Sequence, residues 1–269
     1  MKIMTRIDKC FEQLGIQGQK GFIAFITAGD PTLKDTVDAV CRLEDAGVDL
    51  VELGIPFSDP LADGRVNQMA AARALEHGTT LDGVAKCIRS IRSKSDIPLL
   101  CYSYLNPLLS RGFKKTMAKF AAAGLDGFLI LDLPVEESAP YARVMDRLNL
   151  NNVCLVAPTS PDERIRNIVS ASTGFVYCVS REGVTGMQKR LSAGAVSLVE
   201  KTRRFTALPV ALGFGISTPA QAAAAARVAD AVVVGSAIVD RFSRAPKTSE
   251  GRREVSRWVG RLVKAVKGI

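Results

Sequence analysis

The chain has 269 residues, 47% hydrophobic and 23% charged, with 36 Lys/Arg against 27 Asp/Glu and a formal charge of +9. That composition excludes a disordered or collagen-like chain, and the absence of any apolar run of spanning length excludes a membrane protein. The length admits two domains, but an α/β barrel reaches it as one, so a single domain over residues 1–269 is expected.

In chain order, the first signal is the stripe Ile3, Ile7, Cys10, Phe11 and Leu14, which predicts an extra N-terminal helix. Met1 to Asp8 are charged throughout, with no apolar core region, so no secretory leader is expected there. Apolar, β-branched runs of strand length follow at 22–27, 48–53, 97–102, 127–132, 153–157, 175–179, 209–212 and 231–235. Helix-length segments lie between them at 33–46, 81–93, 114–123, 136–148, 161–171, 193–204 and 219–228. Ser160 before Pro161 and Thr218 before Pro219 read as helix starts. The strands are almost continuously hydrophobic, which indicates a parallel sheet buried on both faces.

Residues 45–49 and 122–126 repeat one form, a helix ended by Gly and a strand restarted after Asp; residues 227–231 repeat it without the Gly. Eight strand–helix pairs predict a (β/α)8 TIM barrel, with a short extra helix after strand 8 in the apolar segment 237–242. A doubly wound open sheet is the competing architecture, and it lacks a GxGxxG after the first strand.

The charge is concentrated at the end of the chain. Residues 241–269 hold nine Lys/Arg against Glu250 and Glu254. There Val255, Val259, Leu262 and Val266 take helical spacing, which predicts an amphipathic helix with a solvated basic face. Binding to nucleic acid is the alternative, but Phe242 and Trp258 are the only aromatics nearby, so no nucleic-acid partner is expected. The six cysteines are scattered and form no CxxC, which suits a reducing cytoplasmic setting and no metal site.

The densest chemical signal is residues 52–64. Glu52 closes an apolar strand where a Gly/Pro/Asp-rich loop begins, and a carboxylate there needs a task or a partner. Asp63 returns from the far side of that loop. Two carboxylates at one mouth, one apolar in setting and one in a polar turn, can titrate apart and serve acid–base chemistry. On spacing alone Asp63 reads equally well as a turn residue, and Asp132 reads equally as a turn carboxylate or a site residue. The only histidine, His77, stands at a helix end and reads as a cap. A general base is then expected among Asp, Glu, Tyr, Lys or Cys, which raises the weight on Glu52, Asp63 and Tyr177.

Gly215 follows strand 7, and Gly235 and Ser236 follow strand 8 at the start of the short helix. Glycine turns there, with the free N–H groups of a helix start, predict a phosphate cradle. The long loop 180–186 after strand 6 reads as a lid, with Gly186 offering a further N–H and Thr185 a hydroxyl.

These residues resemble the tryptophan synthase alpha chain family over nearly the whole chain. The resemblance is carried by residues 25–31, 52–64, Tyr104-Leu105-Asn106-Pro107, Asp132-Leu133-Pro134, 180–186 and Gly213-Phe214-Gly215. It implies a TIM barrel that cleaves indole-3-glycerol phosphate to indole and glyceraldehyde 3-phosphate. It also implies a beta-chain partner in an α2β2 complex, with pyridoxal phosphate only in that partner and no cofactor in this chain. Glu52 matches the family's catalytic glutamate and Asp63 the aspartate facing the indole N–H. Tyr177 matches a tyrosine beside the substrate, and Gly186, Gly215, Gly235 and Ser236 match the phosphate cradle. Thr185 matches the lid threonine, and 56–59 with Asn106-Pro107 match beta-chain docking surface. The chain departs from the pattern at Arg65, where the family commonly has proline, and at Glu182 and Met187 beside the lid. A non-catalytic partner of a beta chain, favoured only by Arg65, and another sugar-phosphate barrel such as an isomerase are the competing functions.

Overall fold

Eight strands close into a parallel barrel in chain order: β1 (Gly21–Thr27), β2 (Leu50–Gly54), β3 (Leu99–Ser103), β4 (Gly127–Ile130), β5 (Asn151–Val156), β6 (Val176–Val179), β7 (Val210–Gly213) and β8 (Ala231–Val234), with β8 paired back onto β1. The computed structural model describes residues 3–179, 193–213, 215–246 and 248–269. Its helices are α1 (Arg6–Ile16), α2 (Leu33–Asp45), α3 (Arg65–Glu76), α4 (Leu81–Arg92), α5 (Leu105–Leu109), α6 (Phe113–Ala122), α7 (Ala139–Arg147), α8 (Asp162–Ala171), α9 (Ala193–Arg203), α10 (Pro219–Ala226), α11 (Ser236–Arg244) and α12 (Ser249–Lys267).

The strands are apolar on both sides because both sides are covered. Val51 and Leu53 of β2 belong to the core beneath the helices, whereas Leu50 belongs to a separate cluster inside the barrel with Ile23, Leu100, Leu129, Val153 and Phe175. Side chains alternate along a strand, so Glu52 shares the inner face with Leu50, one layer nearer the strand's C-terminal end. α1 plugs the opposite end: Ile7 joins the inner cluster and the Phe11 ring lies 5.4 Å from that of Phe175. Ile3 precedes α1 and is 74% exposed, so the predicted stripe is one residue too long at its start. Thr5 and Asp8 form a capping box that fixes where α1 begins.

The repeated Asp seen in the sequence has a structural cause. Asp49, Asp126 and Asp230, each just before an even-numbered strand, accept the N–H of Phe22 at 2.7 Å, Leu99 at 2.8 Å and Val210 at 3.0 Å. Before β6 the same position falls to Thr173, whose Oγ1 accepts the Asn152 N–H at 2.8 Å. Asp126 is 3% exposed and is paired with Arg92 at 2.5 Å and Arg6 at 3.2 Å.

Several boundaries differ from the expectation. The segment 136–148 divides into a 3-10 turn (Val135–Glu137) and α7, whose second residue is Pro140. α8 starts after Pro161, and Ser160 turns back to accept the Ala157 N–H at 3.3 Å instead of capping the helix. Thr218 does cap α10, in a box with Gln221. His77 is the C-cap of α3, with Nδ1 2.7 Å from the Arg73 carbonyl oxygen. In α12, Val255, Val259, Leu262 and Val266 are all buried, and the helix packs on α2 and α10. Arg252 reaches Asp35 and Asp38 on α2, and Lys267 reaches Asp49 at 2.7 Å, so part of the basic charge is structural. No helix among the described residues is long and apolar enough to cross a membrane.

Candidate active site

Glu52 lies at the C-terminal mouth of the barrel, in register with Phe25 of β1 and Leu100 of β3. It is 1% exposed, and neither carboxyl oxygen has a hydrogen-bond partner among the described residues. Burial alone pushes its pKa from an ordinary 4.5 up to about 8. At neutral pH Glu52 is therefore a carboxylic acid with a proton to give.

Asp63 approaches from the β2–α3 loop and is only half-buried. Its Oδ2 accepts the Tyr104 hydroxyl at 2.9 Å and its Oδ1 the Tyr102 hydroxyl at 3.2 Å. Burial pushes its carboxyl upward too, opposed by Tyr104, Tyr102 and Asn67, which hydrogen-bond to the ionised form. Asp63 thus stands in a turn closed by its own N–H on the Pro60 carbonyl, with polar partners. What separates the two carboxylates is that Asp63 has donors and Glu52 has none.

α3 is held against the mouth from outside. Arg73 forks onto Asp30, Nε to Oδ1 at 2.9 Å and Nη2 to Oδ2 at 2.7 Å. The start of α3 is less well supplied. Its N-cap, Gly64, makes no side-chain cap bond, and Arg65 takes the first helical position, with its charge next to the positive end of the helix dipole. Gly64 has ψ of 160°, a conformation that tolerates a following proline. Arg65→Pro is therefore expected to raise stability by about 0.4–1 kcal/mol, read as a higher thermal midpoint; a lower midpoint would show that Arg65 makes an interaction of its own.

Tyr177, on β6, is buried and its phenol is held protonated by burial, with Glu52 and Tyr102 adding to the effect. It is thus a donor and a wall rather than a base. A side chain at Gly213 would place its Cβ 2.4 Å from the Tyr177 hydroxyl, so Gly213 leaves the space this ring fills. Gly235 is the N-cap of α11 and Ser236 its first residue. Gly215, Ser217 and Ser236 line one groove of about 660 Å³ together with Arg241 and Arg244. The loops after β7 and β8 are thus brought to one place, at the N-terminal end of α11, which favours an anion.

Asp132 accepts the Leu105 N–H at 2.7 Å and so holds the start of α5, a structural role. Thr185, Gly186, Glu182 and Met187 lie outside the described residues. Among the described residues no group of three or more His, Cys, Asp or Glu side chains is placed to hold a metal ion. The sequence reading missed Tyr102 and Tyr104 as partners of Asp63; Tyr102 ends the predicted strand 97–102, and that position was the available signal.

The profile of the tryptophan synthase alpha chain family matches residues 11–267. The tryptophan synthase alpha chain of Opitutus terrae is 49% identical over 88% of this chain and 89% of its own length. That of Geotalea daltonii is 45% identical over 90% and 91%. The crystal structure of tryptophan synthase subunit alpha from Legionella pneumophila superposes with a TM-score of 0.89, at 32% identity, covering 99% of this chain and 100% of that one. The chain therefore belongs to the tryptophan synthase alpha chain family, lyases that cleave indole-3-glycerol phosphate to indole and glyceraldehyde 3-phosphate.

Proposed function

We propose that Glu52 and Asp63 carry this cleavage, with the whole chain acting as one catalytic barrel. The observation behind the assignment is the asymmetry of the two carboxylates, one without donors and one held by two phenols. Glu52, protonated, gives its proton to C3 of the indole ring. Asp63, ionised, faces the ring N–H and stabilises the cation that results. The Glu52 carboxylate then takes the proton of the adjacent glycerol hydroxyl. The carbon–carbon bond breaks, its electron pair returns to the indole ring, and the aldehyde of glyceraldehyde 3-phosphate forms.

Gly215, Gly235 and Ser236 anchor the phosphate, with Gly186 as a further donor and Thr185 closing the lid. Tyr177 packs beside the substrate. None of these steps calls on a cofactor in this chain; pyridoxal phosphate belongs to the beta chain that receives the indole, in an α2β2 complex. The exposed apolar residues Leu61 and Leu109, beside the loop 56–59 and on α5, suit that docking surface.

The test is indole release from indole-3-glycerol phosphate, with and without beta chain. Release in either condition is expected, with a higher rate in the complex. No release in both would favour a non-catalytic partner. Turnover of another sugar phosphate instead would favour an isomerase-like barrel.

A further inference from the structure

We infer that Tyr102 is a positioning residue of this site: its hydroxyl, together with that of Tyr104, keeps Asp63 in place and ionised at the barrel mouth. The inference rests on the reading that Asp63 stabilises the ring cation. No motif in the sequence assigned Tyr102 a role.

Tyr102 sits near the end of β3, in register with Gly54 of β2 and Leu129 of β4. Its ring meets Phe25 edge-on, with centroids 5.0 Å apart. The absence of a side chain at Gly54 gives the Phe25 ring its room, since a Cβ there would lie 2.6 Å from Phe25 Cζ. Phe25 also packs with Ala70 of α3 and Val239 of α11, and Tyr102 lies against that cluster. The ring is therefore wedged, and its hydroxyl reaches Asp63, 39 residues away in sequence.

The two phenols divide the carboxylate, one to each oxygen. Tyr104 approaches from the loop side: its hydroxyl accepts the Ala62 N–H at 2.9 Å and donates to Oδ2. Tyr102 approaches from inside the barrel, the side from which a substrate ring must come. The groups that act on the Asp63 carboxyl are Tyr102 from β3, Tyr104 just beyond it and Asn67 from α3, while Glu52 from β2 acts on Tyr102. Against Tyr102 itself pack Phe25 of β1 and the cluster it forms with Val239 of α11, which are apolar. Arg65 opens α3 and is exposed, so the nearby donors to Asp63 are neutral. Hydrogen bonds to an ionised carboxylate favour that form, and removing one makes protonation easier.

The pH dependence of kcat/KM, measured in the complex with beta chain, tests this. Tyr102→Phe keeps the ring and removes the hydroxyl. The acid limb of the profile is expected to move up by about 1 pH unit. Tyr104→Phe should move it in the same direction, and the double variant further. Incorporating 3-fluorotyrosine at position 102 keeps fold and hydroxyl and strengthens the donor, so the limb should move down. KM should change less than kcat, because the phosphate anchor is untouched. A Tyr102→Phe profile with its acid limb unmoved, or a uniform loss at every pH with a lowered thermal midpoint, overturns the inference. An unmoved limb with 3-fluorotyrosine does the same if Tyr102→Phe does not fold. Asp63→Asn separates the two levels: wild-type turnover there removes the role of Asp63 itself, whereas an inactive Asp63→Asn beside an unmoved Tyr102→Phe profile removes only that of Tyr102.

Discussion

Glu52→Gln is expected to release indole about 10³-fold more slowly than the wild type while still binding substrate. The magnitude follows from losing one group that serves as acid and then as base. Gln keeps the shape and the neutral charge of the protonated acid but has no proton to exchange. In the wild type, the rate should fall as pH rises through about 8, where Glu52 loses its proton, and this alkaline limb should be absent from the residual activity of the variant.

Stability should move the other way. The folded state binds the Glu52 proton more tightly than the unfolded chain does. The stability from this group is complete below pH 4.5 and is lost as pH rises to about 8. At pH 9 the wild type carries a buried, unpaired carboxylate that Glu52→Gln lacks. The variant should then be more stable by at most about 5 kcal/mol, a gap that closes towards pH 5. Urea unfolding at pH 5, 7 and 9 reads this directly; a gap that does not change with pH would mean that Glu52 is not perturbed by burial.

Asp63→Asn is expected to lower kcat by about 10²–10³-fold, the usual loss when a preorganised electrostatic group is removed from a dry site. The side chain keeps its size, but its amide opposes one of the phenols with a donor instead of an acceptor. KM should change little, since the phosphate cradle proposed above lies after β7 and β8, away from Asp63. The wild type should show an acid limb as Asp63 protonates, and Asp63→Asn should lack it. A variant that retains both wild-type kcat and the acid limb would assign that limb, and the charge stabilisation, to another residue.

Glu52 was legible in the sequence because no turn explains a carboxylate in an apolar strand, although β2 runs on past it to Gly54. The eight strands were legible because each is buried on both sides and reads as a continuous apolar run. Most of α3 was not: its buried face is made of Ala70, Ala71 and Ala74, and Gly64 offers no cap, so only its His77 end gave a signal. The partners of Asp63 were hidden because they depend on the pairing of β2 with β3, which no local pattern reveals. Tyr102 and Tyr104 lie about 40 residues away, and the pairing of β2 with β3 brings them to the β2–α3 loop. The contact of Gly213 with Tyr177 depends on the pairing of β6 with β7, which no local pattern reveals.

The side-chain latches formed by Asp49, Asp126, Thr173 and Asp230 divide the barrel into four two-strand modules. Each latch joins residues only 20 to 27 positions apart, and each acts at the N-terminal ends of its strands. Alignment of neighbouring strands is thus set pair by pair, by short-range contacts, at the end remote from the chemistry. The opposite rim is relieved of that duty. It can hold an acid with no partner and a carboxylate suspended between two phenols without putting strand alignment at risk.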